Sequence, residues 1–313
     1  MRGQMSVLTV LLSAGALSMA CATARTAAPP RWVAGPRGRL RVDAGGSGGN
    51  LPVLLIHGNG GNRASWAATL AHLQKSRRAA SFDLAGMGES ELPAGTGISV
   101  EGFAGDVAAV ADALEYRRFV LVAHSYGGAV AAAYAGRHPA RLSGLVFADC
   151  AGDLHRTPSE SLEPLRRGLR DDYPGFTRRW FEGILAGARP ETRAAVLDAL
   201  QKTRADVFVG ATEALYRFDM EAALARYGGP RLSIASMLFD NPVAIHRTAP
   251  DTPVRQIEAA SHWLMMDQPE AFDRELDAFL AGISSSGQNI SSPGRVSVFE
   301  GSGGRSSRRP EED

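Results

Sequence analysis

Ser125 is the residue of this chain whose surroundings in sequence most resemble a prepared nucleophile. It lies in "AHSYG" (123–127), directly after the apolar run "RFVLVAH" (118–124) and before an alanine-rich segment beginning at Gly127. A serine hydroxyl is a weak nucleophile. It must be presented in the open, beside a base, with backbone donors near the oxygen that gains charge at the attacked carbonyl. A sharp strand-to-helix turn meets those demands, but it forces strained dihedrals on the serine and needs small residues two positions to either side. Ala123 and Gly127 are small enough, with alanine standing where the G-x-S-x-G pattern has its first glycine. The chemistry this points to is acyl transfer.

The elements that must position the serine can be read from periodicity. "LPVLLIH" (51–57), "AASFD" (79–83), "RFVLVAH" (118–124) and "SGLVFAD" (143–149) are short apolar runs ending in turn residues, the pattern of strands buried on both faces. Between the second and third, Val100, Phe103, Val107, Val110, Ala111 and Leu114 fall on one helical face, and Ser99 is placed to cap that helix. Strand and helix in alternation predict an α/β fold: a doubly wound, mostly parallel sheet with right-handed crossovers, whose ligand site lies beyond the carboxyl ends of the strands. The alternation breaks once, from about Asp153 to Pro230, where Phe176, Trp180, Phe181, Ile184 and Leu185 keep a helical period and no strand is evident. We expect a helical insertion there. "RLSIASMLFDNP" (231–242) and "TPVRQIEA" (252–259) resume the strands, and "QPEAFDRELDAFLAG" closes the domain with Phe272, Leu276, Phe279 and Leu280 on one face.

With these motifs in order, residues 38–283 resemble the α/β-hydrolase superfamily. "IHGNGGNRASW" (56–66) is similar to its oxyanion loop, "DLAGMGES" (83–90) to its D-x-x-G-x-G-x-S turn, and "AASHWLMMDQPEAF" (259–272) to the segment carrying its catalytic histidine. The resemblance implies Ser125 as nucleophile, His262 as base, and the backbone N–H groups of Asn59 and Tyr126 as the oxyanion hole. For the triad acid it favours Asp240, the first carboxylate after the strand that follows the insertion. Asp149, at the end of the strand before the insertion, is the runner-up, because some members of the superfamily draw their acid from there, and Met237 stands where an acid after the later strand would be expected. Asp83 and Asp251 read as turn residues, and His57, His124 and His138 as supporting or surface histidines. The resemblance further implies a cap over the site with apolar walls drawn from Phe176, Trp180, Phe181 or Leu185. A serine nucleophile sets the chain apart from superfamily members that use aspartate, and points to hydrolysis of carboxylic esters, lactones or amides without a cofactor or metal. A lyase or cofactor-free peroxidase on the same scaffold, or a binding protein with an inactive site, are the alternatives.

Composition narrows the partners. The chain has 313 residues, 44% hydrophobic and 21% charged, enough for a sizeable core, and its net charge of +1 gives no overall field for nucleic acid. The expected partner is a small, ester-like molecule. Arg2 precedes an apolar run, Val7–Ala20, of signal-peptide length, so residues 1–24 are expected to direct export and residues 25–37 to form a linker. Cys21 after "LSMA" would allow lipidation and a membrane tether, while Ala22 and Ala24 suit simple cleavage. Cys150 reads as a small buried hydrophobe. From Ser284 onward, Ser, Gly and Arg dominate without apolar period, which predicts a disordered tail.

Overall fold

A computed structural model describes residues 30–288, with side chains to 283. The expected leader, the Cys21 lipidation site and the tail beyond 288 lie outside the described residues. The strands are β1 (Arg31–Ala34), β2 (Arg39–Gly45), β3 (Val53–Ile56), β4 (Ala79–Phe82), β5 (Phe119–His124), β6 (Leu142–Ala148), β7 (Arg231–Ser236) and β8 (Val254–Ile257). They form one sheet in the order β1-β2-β4-β3-β5-β6-β7-β8, parallel from β4 onward, with β1 and β2 antiparallel at one edge. Helices are α1 (Ala67–Leu73), α2 (Val100–Ala113), α3 (Gly127–Arg137), α4 (Ser159–Asp171), α5 (Tyr173–Ile184), α6 (Pro190–Lys202), α7 (Ala205–Arg217), α8 (Met220–Leu224), α9 (Ile245–Thr248), α10 (Leu264–Asp267) and α11 (Pro269–Gln288). None of the described helices is long and apolar enough to cross a membrane.

The central strands are apolar throughout because each serves two cores. Leu54, Ile56, Phe119, Leu121, Leu145 and Phe147 pack on the face covered by α2 and α3. Their neighbours Val53, Leu55, Val120, Val122 and Val146 pack on the other, with Leu73, Phe272, Leu276 and Leu280. That is the period-two split of a sheet buried on both sides. On α2, Val100, Phe103, Val107, Val110 and Ala111 are buried, and the Ser99 hydroxyl accepts from the Gly102 N–H at 3.0 Å. Helices α4–α8 all fall between β6 and β7. They seat on the body through both cores: Phe181, Leu185, Leu200 and Phe208 join one, and Val207, Ala211, Met220 and Leu224 the other.

Two boundaries differ from expectation. Part of the expected linker is β1, an edge strand that pairs only with β2 and buries only Val33, so it carries no apolar run to read. Helix α11 continues to Gln288, four residues past the expected start of the tail at Ser284, because serine and glycine at a helix end weaken a helix without an apolar period having to end it.

Candidate active site

The elbow is built by the junction of β5 and α3. Ser125 has φ +53°, the left-handed region, and its N–H donates to the Ala148 carbonyl of the adjacent β6 at 3.0 Å. A Cβ on Gly127 would lie 2.8 Å from the His57 carbonyl oxygen, so only glycine lets α3 start this close to β3. Asp149, directly after β6, is also left-handed at φ +45°. Strand register explains its placement: His124 pairs with Ala148, so the residues following each, Ser125 and Asp149, leave the sheet side by side.

The structure brings His262 to this end of the sheet. Its ring is buried, and Nδ1 lies 3.4 Å from the Asp149 carboxylate. That carboxylate is fully buried and fixed by β7: the Ser236 N–H and hydroxyl each donate to it at 2.6 Å. The His262 backbone is held from both sides, donating to the Ile184 carbonyl of α5 at 3.2 Å and accepting from His124 Nε2 at 2.9 Å. Phe239, just past β7, lies against the imidazole with ring centres 5.0 Å apart.

Asp240, the favoured acid, is elsewhere. Strand β7 stops at Ser236 and a short 3₁₀ turn over Met237–Phe239 carries Asp240 out to a polar cluster, where Arg247 donates twice at 2.9 Å, Gln256 donates at 2.9 Å and His246 lies at 3.1 Å. Those hydrogen bonds, from His246 and then Arg247, hold its carboxyl below the ordinary aspartate value. The carboxylate facing His262 is Asp149. The reason is topological: β6 borders β5 directly, whereas β7 is one strand further out and its end contributes Ser236 to Asp149 instead.

The loop after β3 carries Asn59. The Asn59 side chain donates to the Phe208 carbonyl and to Thr212 Oγ1, each at 3.0 Å, tying this loop to α7 of the cap. Among the described residues, the backbone N–H groups of Asn59 and Tyr126 have no acceptor, which leaves both available to one. His57 braces the loop: Nδ1–H donates to the Gly58 carbonyl at 2.7 Å and Nε2 accepts from the Leu84 N–H at 3.0 Å. Its tautomer is thereby fixed. His124 is fixed likewise, since a carbonyl acceptor requires Nε2 to carry the proton.

Ser125, His262, Asn59 and Tyr126 all line one cavity of about 220 Å³. Its walls come from the cap residues Trp180, Phe181, Ile184, Phe208 and Leu215 and from Phe239, with Thr212 and Tyr216 the polar residues on α7. Trp180 and Phe181 were expected there. Phe176 packs against Trp180 and Leu185 is fully buried in the core; neither reaches the cavity. The contribution of α7, and the roles of Ser236 and Phe239, had no signal beyond helical or strand periodicity. Outside the cavity, Asp153, His155 and Asp219 bring ligand atoms within 4.8 Å of one another, but Asp153 already accepts from His155 at 2.6 Å and Asp219 caps α8.

Burial pushes the pKa of both His57 and His124 below the ordinary 6.5, desolvation being the main cause in each and the neighbouring His262 adding to it for His124. The native state favours their neutral forms, so the stability they contribute is complete above pH 6.5 and is lost as pH falls below it. Asp106 works in the opposite sense: burial raises its carboxyl to about 6 despite Arg37 at 2.9 Å, and its contribution is lost as pH rises through that value. His138, also lowered, and Asp273, also raised, add one group to each side, so the histidines set the sign and stability falls as pH drops below 6.5. Urea unfolding at pH 7.5 and 5.5 should show that fall, and a pH-independent unfolding free energy would contradict it.

Comparison with known proteins agrees with this architecture. A family model described as the alpha/beta hydrolase fold matches residues 52–187. A 2-hydroxymuconate semialdehyde hydrolase of a Pseudomonas strain is 37% identical over 116 residues, 36% of this chain; the match spans only 41% of that relative's length. A 2-hydroxy-6-oxo-2,4-heptadienoate hydrolase of Pseudomonas putida is 26% identical over 261 residues, covering 75% of this chain and 90% of the relative. Among solved structures, a thermophilic esterase from Thermogutta terrifontis superposes with a TM-score of 0.70 at 25% identity, covering 82% of this chain and 99% of the esterase.

Proposed function

Because this chain belongs to the alpha/beta-hydrolase superfamily, and its fold is that of a hydrolase, we propose that it is a serine-dependent hydrolase of carboxylic esters or lactones. The observation that carries the reading is that a left-handed Ser125 and His262 line one cavity, with the buried Asp149 carboxylate 3.4 Å from the His262 Nδ1. In this reading the Ser125 hydroxyl attacks the carbonyl carbon while His262 takes its proton. Asp149 orients the imidazole through Nδ1–H and stabilises the imidazolium. The Asn59 and Tyr126 N–H groups receive the oxyanion, and His262 returns the proton to the departing alcohol. Water then enters, loses its proton to His262 and cleaves the acyl-enzyme, which restores Ser125.

Two features support preorganisation. The imidazole cannot drift freely, since its backbone is bonded to the cap at Ile184 and to the sheet at His124, and the oxyanion loop is bonded to α7 through Asn59. The apolar run Val7–Ala20 supports export as part of the same proposal. A fluorophosphonate reagent tests the central claim: it should label the wild type at a single serine and fail to label Ser125→Ala of unchanged thermal midpoint. A well-folded wild type that takes no label would overturn the proposal.

A further inference from the structure

The cavity beside Ser125 has a wall chemistry that constrains charge. Among the described residues that line it, none is Lys, Arg, Asp or Glu. Some of its side-chain donors are committed, Asn59 Nδ2 to Phe208 and Thr212 and the Thr212 hydroxyl to the Phe208 carbonyl at 2.9 Å, and the tyrosine and tryptophan donors of the lining, on Tyr126, Tyr216, Trp180 and Trp263, are neutral. His124 offers no cation, since its burial disfavours protonation and its one N–H is spent on the His262 carbonyl. Behind His262, 3.4 Å from its Nδ1, stands the carboxylate of Asp149. On the cap, Arg166 is bonded to Glu213 at 2.9 Å.

Resting on the hydrolase reading, we infer that this cavity takes a neutral, apolar part of the substrate and rejects a carboxylate. Its size, about 220 Å³, lies below the roughly 300–1,000 Å³ of drug-sized pockets and suits a short acyl or alcohol group. A carboxylate entering it would lose its hydration, find no cation, and approach Asp149. The dienoate in the name of the Pseudomonas putida relative is an anion of the kind excluded.

The test compares matched esters that differ only in that charge. On the acyl side, mono-4-nitrophenyl adipate is set against its methyl-capped diester, with 4-nitrophenyl hexanoate as the apolar reference. On the alcohol side, 4-carboxyphenyl hexanoate is set against its methyl ester. At least one anion should fall below its capped counterpart in kcat/KM by about a hundred-fold, the order expected for burying an unpaired carboxylate. Both anions within ten-fold of their capped partners would overturn the inference. Counting active sites by fluorophosphonate labelling separates the two failures. A labelled enzyme that does not discriminate refutes the charge selectivity alone, whereas an enzyme that neither labels nor turns over any ester refutes the hydrolase reading and this inference with it.

Discussion

Asp149→Asn lowers kcat by about four orders of magnitude, while Asp240→Asn stays within a few-fold of the wild type. The first expectation follows from the hydrogen-bond balance around the carboxylate. Asp149 receives the Ser236 N–H on one oxygen and the Ser236 hydroxyl on the other, and the second oxygen also lies 3.4 Å from His262 Nδ1. An asparagine can keep the Ser236 N–H bond through its carbonyl, so the backbone has no reason to move. Its NH₂ then faces Nδ1 with a donor, which selects the imidazole tautomer carrying its proton on the wrong nitrogen and removes the charge that stabilises the imidazolium. The second expectation follows from where Asp240 points: Arg247, His246 and Gln256 absorb its oxygens at a site outside the cavity lining. Its loss touches Phe239 only through the backbone. Steady-state kinetics on a 4-nitrophenyl ester, with circular dichroism to establish that both variants are folded, reads the contrast. A collapse of kcat in Asp240→Asn with Asp149→Asn active would reverse the assignment.

That pair of aspartates also marks the limit of what the sequence makes legible. The parallel sheet, the serine turn and the helical insertion can be read because each leaves a periodic or steric trace: apolar runs at β3, β5 and β6, small residues at 123 and 127, and a helical period from Phe176 to Leu185. The acid leaves none. Which carboxylate meets an imidazole depends on which strand borders the nucleophile's strand and on where each strand stops, and a single residue sets the second. β7 ends at Ser236, and the next three residues turn in a 3₁₀ helix instead of continuing the run through Phe239. The edge strand β1 escapes for a related reason, since a strand paired on one side and buried at one residue needs no hydrophobic pattern. The polar residues of α7 that reach the cavity, Thr212 and Tyr216, are decided by how the cap rotates over the sheet, which the period of one helix does not encode.

Asp83→Ala should cost about 3 kcal/mol of folding stability and, with it, the geometry of the oxyanion loop. The D-x-x-G-x-G-x-S turn closes on this carboxylate, which is fully buried. It accepts from the Arg63 backbone N–H and guanidinium, both at 2.6 Å, and from the Glu89 N–H at 2.9 Å, while the Ser90 hydroxyl donates to its carbonyl at 2.6 Å. Gly88, at φ +54°, is what permits that closure, because a Cβ there would lie 2.4 Å from the carboxylate. Removing the carboxylate leaves two part-buried backbone donors, Arg63 N–H and Glu89 N–H, unmet and weakens the hold on Arg63. The guanidinium keeps Asp43 and Glu89, each at 3.0 Å, so the loss belongs at the lower end of the 3–5 kcal/mol range for a broken buried pair. The consequence for chemistry runs through adjacency. Arg63 ends the loop that begins at His57, and Leu84, next to Asp83, donates to His57 Nε2, so both ends of the Asn59 segment are referred to this one side chain. Asp83→Asn retains an acceptor for one of the N–H groups and should fall between the alanine variant and the wild type in urea unfolding. Where folded enzyme is assayed well below its midpoint, kcat should fall more than KM rises, because a displaced Asn59 N–H weakens the hold on the oxyanion more than on the bound ester. A stability loss under about 1 kcal/mol, or an unchanged kcat in a variant destabilised as expected, would show that the turn and the oxyanion loop are not coupled in this way.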